Sequence, residues 1–134
     1  MKKIYYCPHC KAQLNVGNDI IFVASTKNKE TGLILASEEV GNYSVTKDPL
    51  FAIEKGEHTE IKCPVCHKRL QVGNIHENLA MIMMKNETGL ESEIYFSEIY
   101  GEQCTYKITN LKKVETFGDD SEKYNFWKHL HNYF

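Results

Sequence analysis

Four of the five cysteines stand in two matching frames, Cys7-Pro8-His9-Cys10 and Cys63-Pro64-Val65-Cys66. A Cys-x-x-Cys turn brings two sulfurs to one side, and two such turns supply the four soft thiolates that tetrahedral zinc takes, with Zn–S near about 2.3 Å. Pro8 and Pro64 pre-set φ near about −65° for the turn. Backbone N–H groups after each leading cysteine can point at its sulfur and disperse negative charge. Lys11, Lys62, Lys68 and Arg69 flank the pairs and can offset a dianionic zinc–tetrathiolate centre. The expectation is one structural zinc ion per chain held by Cys7, Cys10, Cys63 and Cys66, and iron fits the same cage. With four thiolates at hand, neither His9 nor His67 is expected to ligate. His58 and His76 share no ligand spacing, and His129-x-His131 reads as surface.

Cys-Pro-His-Cys is also the active-site string of strongly oxidising thioredoxin-fold disulfide oxidases, where it opens a long helix whose N-terminus lowers the thiol pKa. Here Lys11 to Val16 is too short a run before Gly17-Asn18 to be that helix, so thiol–disulfide exchange is the weakest of three readings. A catalytic zinc keeps three protein ligands and an open position, whereas four cysteines close the shell. No HExxH, P-loop, GxSxG or Rossmann fingerprint occurs, and no catalytic residue is assigned. Nucleic-acid binding is disfavoured by a net charge of −2 and a single arginine among sixteen basic residues. A zinc–tetrathiolate would take that charge to about −4. Tyr5 and Tyr6 are the residues that would stack on bases in that second reading. The expected function is a structural zinc-binding module for a protein partner or for self-association, without catalysis.

The elements that must position these sulfurs come from an internal repeat. Residues 7–18 read CPHCKAQLNVGN and residues 63–74 read CPVCHKRLQVGN, identical at seven of twelve positions. Glu30-Thr31-Gly32-Leu33 recurs as Glu87-Thr88-Gly89-Leu90, and Ser37-Glu38 with Gly41 recurs as Ser97-Glu98 with Gly101. The offset grows from 56 to 57 to 60, as loops gaining residues would produce. Cys10 and Cys63 have 52 residues between them, and packing of two like halves would bring their knuckles together around one ion. Strands are expected at Ile20–Ala24, Leu33–Ala36, Tyr43–Val45, Phe51–Ile53 and Glu60–Cys63, then at Leu79–Met84, Ile94–Tyr100 and Cys104–Thr109, with hairpin turns at 26–32 and 86–89. Met81, Met83 and Met84 read as core filler, and Cys104, matching Ser44, as a small buried strand residue.

The fold class expected is mainly β and zinc-ribbon-like. A first CPxC half spans 1–60, a second spans 61–117, and a short C-terminal helical tail spans 118–134. In the tail Phe126, Leu130 and Phe134 recur at i, i+4 and i+8 beside Trp127, an aromatic face for the chain's own sheet or for a partner. Hydrophobic residues make up 42% and charged residues 25%, as in an ordinary globular domain. The longest apolar runs are far short of a membrane-spanning helix. The opening Met-Lys-Lys-Ile-Tyr-Tyr-Cys has no apolar stretch after its lysines, so a reducing cytoplasm is the expected compartment and no membrane partner is expected.

Cys7 and Cys10, then Ser37, Gly41 and Tyr43, then Gly56 and Glu57, then Cys63 and Cys66 form a pattern that resembles a group of small bacterial zinc-ribbon proteins with no assigned activity. The resemblance covers roughly residues 5–110. It implies metal binding by the four cysteines and a β-rich fold, and it implies no activity. Other members carry further cysteines after the second knuckle, where this chain has Cys104 alone, which argues against a second metal site.

Overall fold

A computed structural model describes residues 3–73, 75–109 and 113–120. The expected C-terminal helix, with its aromatic face and His129 and His131, lies outside the described residues. Within them the chain is mainly β, and no helix is long and apolar enough to cross a membrane.

Among the described residues ten strands form two antiparallel sheets. They are β1 (Ile4–Tyr6), β2 (Asn15–Val16), β3 (Asp19–Ser25), β4 (Thr31–Ser37), β5 (Val45–Lys47), β6 (Glu60–Lys62), β7 (Leu79–Lys85), β8 (Glu91–Ser97), β9 (Thr105–Thr109) and β10 (Lys113–Phe117). One sheet runs β1-β7-β8-β9-β10. The other runs β2-β3-β4-β5, with β6 also on β3. The strands that lead into the two knuckles are exchanged. β1 lies on the late hairpin, with Tyr5 opposite Met84, and β6 lies on the early hairpin, with Ile61 opposite Ala24. Neither sheet is therefore built from one stretch of sequence.

Alternation along β3 and β7 turns Ile20, Phe22 and Ala24, and likewise Ala80, Ile82 and Met84, toward a shared core between the sheets. The residues that meet there are matched pairs of the repeat with complementary sizes. Ala24 answers Met84, and Ala36 answers Phe96. Phe22 and Phe96 pack with ring centroids 5.3 Å apart.

Equivalent backbone hydrogen bonds fix the repeat's true alignment. Thr26 and Asn86 donate to the carbonyls of Glu30 and Leu90, and Glu38 and Glu98 donate to those of Asn18 and Asn78, so the offset beyond the knuckles is 60 throughout. The Glu-Thr-Gly-Leu match is thus out of phase by three. Thr31–Leu33 is strand, whereas Glu87–Gly89 is hairpin turn. The four extra residues fall between Val72 and Leu79. Val72 and Ile75 cover a second buried cluster of Leu79, Tyr95, Cys104, Tyr106 and Ile108 on the outer face of that sheet. Met84 is core and Met81 packs on the second cluster, as expected for filler. Cys104 is 1% exposed.

One expected strand does not form. Phe51–Ile53 follows a turn at Asp48-Pro49 in which the Phe51 N–H donates to the Asp48 carbonyl, 3.0 Å. The Phe51 ring then lies over Gly32, where a Cβ would come within 2.8 Å of it. Pro49 removes a ladder donor, and the glycine gives the ring a seat, so this segment packs by side chain rather than by pairing.

Candidate metal centre

Each knuckle is hung from a short strand and closed by the same bonds. The Cys7 N–H donates to the Ala12 carbonyl and the Lys11 N–H to the Cys7 carbonyl, both at 3.0 Å. In the second knuckle Cys63 donates to Lys68 at 3.1 Å and His67 to Cys63 at 3.0 Å. Lys11 and His67 adopt φ of 66° and 64°, the left-handed turn that sends the chain back along its entering strand. The exit limbs are then tied down, Leu14 N–H to the Tyr5 carbonyl at 2.7 Å and Leu70 N–H to the Ile61 carbonyl at 2.9 Å.

The two knuckles meet. The Sγ atoms of Cys7, Cys10, Cys63 and Cys66 all lie within 4.8 Å of one another. Cys7 Sγ stands 3.8 Å from Cys66 Sγ, and Cys10 Sγ stands 3.7 Å from Cys63 Sγ. A tetrahedron with metal–sulfur bonds of about 2.3 Å has sulfur–sulfur edges of about 3.8 Å. No disulfide joins any of the five cysteines. The N–H groups of His9 and Val65 point at the sulfurs of Cys7 and Cys63, both at 3.3 Å, and that of Cys66 points at Cys63 Sγ at 3.4 Å.

The four thiols are not equivalent. Cys7 and Cys63 are fully buried, Cys66 is half-buried and Cys10 is exposed. Burial pushes the Cys7 thiol up to about 12 and raises Cys63 as well. The N–H of Ala12 holds Cys10 below the ordinary thiol value. A metal cation held by the cluster would favour the ionised form of all four thiols, the two buried ones included, and take up their charge. Four sulfurs at tetrahedral spacing are positioned to hold one soft metal ion, and this is the one such group among the described residues.

Other expected site residues are differently engaged. Arg69, expected to offset the thiolates, instead pairs with Glu98 at 3.0 Å and Glu60 at 3.4 Å. Tyr5, offered for base stacking, is 1% exposed and donates its hydroxyl to the Glu38 carbonyl at 2.6 Å. Tyr6 donates to Glu91 at 2.6 Å, with the Lys11 ammonium 5.8 Å from its ring centroid. His9 and His67 stay out of the cluster.

One important residue carried no signal of its own in the sequence. Glu98 has a fully buried carboxylate that accepts from the Ile61 N–H at 3.1 Å, Arg69 at 3.0 Å and His58 Nε2 at 2.9 Å. It fastens the strand entering the second knuckle to the end of β8. Its repeat partner Glu38 does nothing comparable with its side chain, so the repeat alone could mark the position but not the role.

Fold and cluster together define a two-sheet β protein with paired Cys-x-x-Cys knuckles positioned for a metal ion. In comparisons with known proteins the chain matches no family model, no curated protein and no solved structure.

Proposed function

We propose that this chain is a structural zinc-binding protein of zinc-ribbon type, working in the cytoplasm as a protein-interaction or scaffold module rather than as a catalyst. The observation that carries the reading is the pair of sulfur–sulfur separations, 3.7 and 3.8 Å, between knuckles 52 residues apart in sequence. The metal staples two sheets whose knuckle strands are already exchanged, and four thiolates leave it no open position for substrate. Iron is the alternative occupant of the same cage. The partner-binding part of the reading draws support from the outer face of the early sheet, where Leu33 and Leu50 are 54% and 92% exposed beside the edge strand β5.

Elemental analysis of purified protein, paired with thiol titration before and after chelation, tests the metal. About one zinc per chain, with four thiols protected until the metal leaves, is the expected result. Metal-free protein with freely reactive or disulfide-linked pairs would sink it and return thiol–disulfide exchange to the front.

A further inference from the structure

The repeat makes Cys10 and Cys66 equivalent in sequence, but the fold does not. Cys7 and Cys63 are fully buried, Cys66 is half-buried and Cys10 is exposed. A reagent arriving from solvent therefore meets the cluster first at the Cys10 sulfur. Behind that sulfur, 3.7 Å away and on the other knuckle, stands the buried Sγ of Cys63. An accessible thiolate with a second thiolate poised beside it is the arrangement that two-electron oxidants select. The fifth cysteine, Cys104, is 1% exposed and lies in the second buried cluster, out of reach of such a reagent.

We propose that Cys10 is a modification site for hydroperoxides, and that its oxidation ends in a disulfide between Cys10 and Cys63. The inference rests on the metal-binding reading above. The Cys10 thiolate attacks a peroxide oxygen, the O–O bond breaks, and the leaving alkoxide or hydroxide takes a proton from water. The Cys10 sulfur, oxidised by two electrons, is then a sulfenic acid. The Cys63 thiolate attacks it, the S–S bond forms, and hydroxide leaves and is protonated to water. In sum, two thiolates, two protons and one hydroperoxide give one disulfide, one water and the alcohol or water of the leaving group. Cys7 and Cys66 stay reduced and are too few to keep the ion. Because the new bond joins different knuckles, one cross-link replaces another at the same junction, and the protein gives up metal without separating its halves.

One equivalent of hydrogen peroxide added to the zinc-loaded full chain tests this. Released zinc is followed with a weak chromophoric indicator, thiols are counted in denaturant, and disulfides are mapped by peptide mass spectrometry. Zinc is expected to leave, the five thiols to become three, and the linked peptide to carry Cys10 and Cys63. Cys10→His leaves a three-cysteine, one-histidine donor set that zinc accepts, and should release the ion about tenfold more slowly. Cys66→His, the matching change in the other knuckle, should release it at the wild-type rate. Equal slowing in the two variants overturns Cys10 as the point of attack. A disulfide within one knuckle, Cys7 to Cys10 or Cys63 to Cys66, overturns the assigned bond, and zinc retained after the peroxide is consumed overturns the site. Those results leave the metal reading standing, whereas a chain that carries no zinc before peroxide is added overturns that reading and this proposal together.

Discussion

At the scale of the residue, two glutamates in matching positions carry very different weight. Glu98 takes a backbone N–H, a guanidinium and an imidazole with no solvent contact, whereas Glu38 meets its surroundings through its backbone. Glu98→Ala strands a half-buried arginine and the Ile61 N–H, and is expected to cost about 3 kcal/mol in urea unfolding of the metal-loaded protein. Glu38→Ala is expected to cost under about 0.5 kcal/mol in the same assay. Equal costs would mean that the Glu98 network contributes nothing beyond its position in the repeat. The clustering of Cys7, Cys10, Cys63 and Cys66 was legible in the sequence, because the geometry a metal would ask for constrains both residue type and spacing. Glu98 was not legible, because a glutamate's partners are set by which strands become neighbours. Arg69 was misassigned for the same reason. It lies three residues after Cys66, but β6 and the end of β8 bring a buried carboxylate closer to hand.

At the scale of the element, most strands could be read from their alternation and their turns. The Asn86–Leu90 turn and the matching turn at 26–30 form as their residues suggest. What the pattern could not show was pairing. β1 and β6 are three residues each, too short to declare a partner, and they settle on whichever hairpin edge their knuckle faces. Nor did local pattern announce β10, whose end is fixed by a tight contact. Gly118 has φ of 96°, and a Cβ there would overlap the Gln103 carbonyl and stand 2.6 Å from the Tyr43 hydroxyl. Gly118→Ala combines left-handed strain with a backbone clash, and is expected to destabilise by about 2–4 kcal/mol. Gly17→Ala, also left-handed but with open space around it, should cost only about 1 kcal/mol. Thermal unfolding of the two variants side by side checks the contrast. A Gly118→Ala protein as stable as Gly17→Ala would show that β10 does not close against the loop after β8.

At the scale of the whole molecule, a metal held by the four sulfurs would secure the same junction that the exchanged strands secure by pairing. A cross-link closing a loop of 52 residues contributes about 4 kcal/mol through chain entropy. For a chain of this size that corresponds to roughly 10–15 °C in midpoint. Chelation is therefore expected to lower the melting temperature by that amount while leaving a cooperative transition, since most of the core between the sheets is aliphatic and aromatic and only its end is made of cysteines. A drop confined to a few degrees would reduce the cluster to a surface ornament. The repeat made the two-part plan legible, but not the exchange, because equivalent halves fit together equally well in sequence whether each strand stays at home or crosses over. That crossing has a consequence for how the chain is made. Ile4–Tyr6 has its partner at Met83–Lys85, and Cys7 and Cys10 meet Cys63 and Cys66, so in each case the earlier segment is synthesised well before the later one. The first knuckle must therefore wait, with two of the four sulfurs and without its β7 partner, until the second knuckle and the late hairpin have been made, and the junction is closed only then.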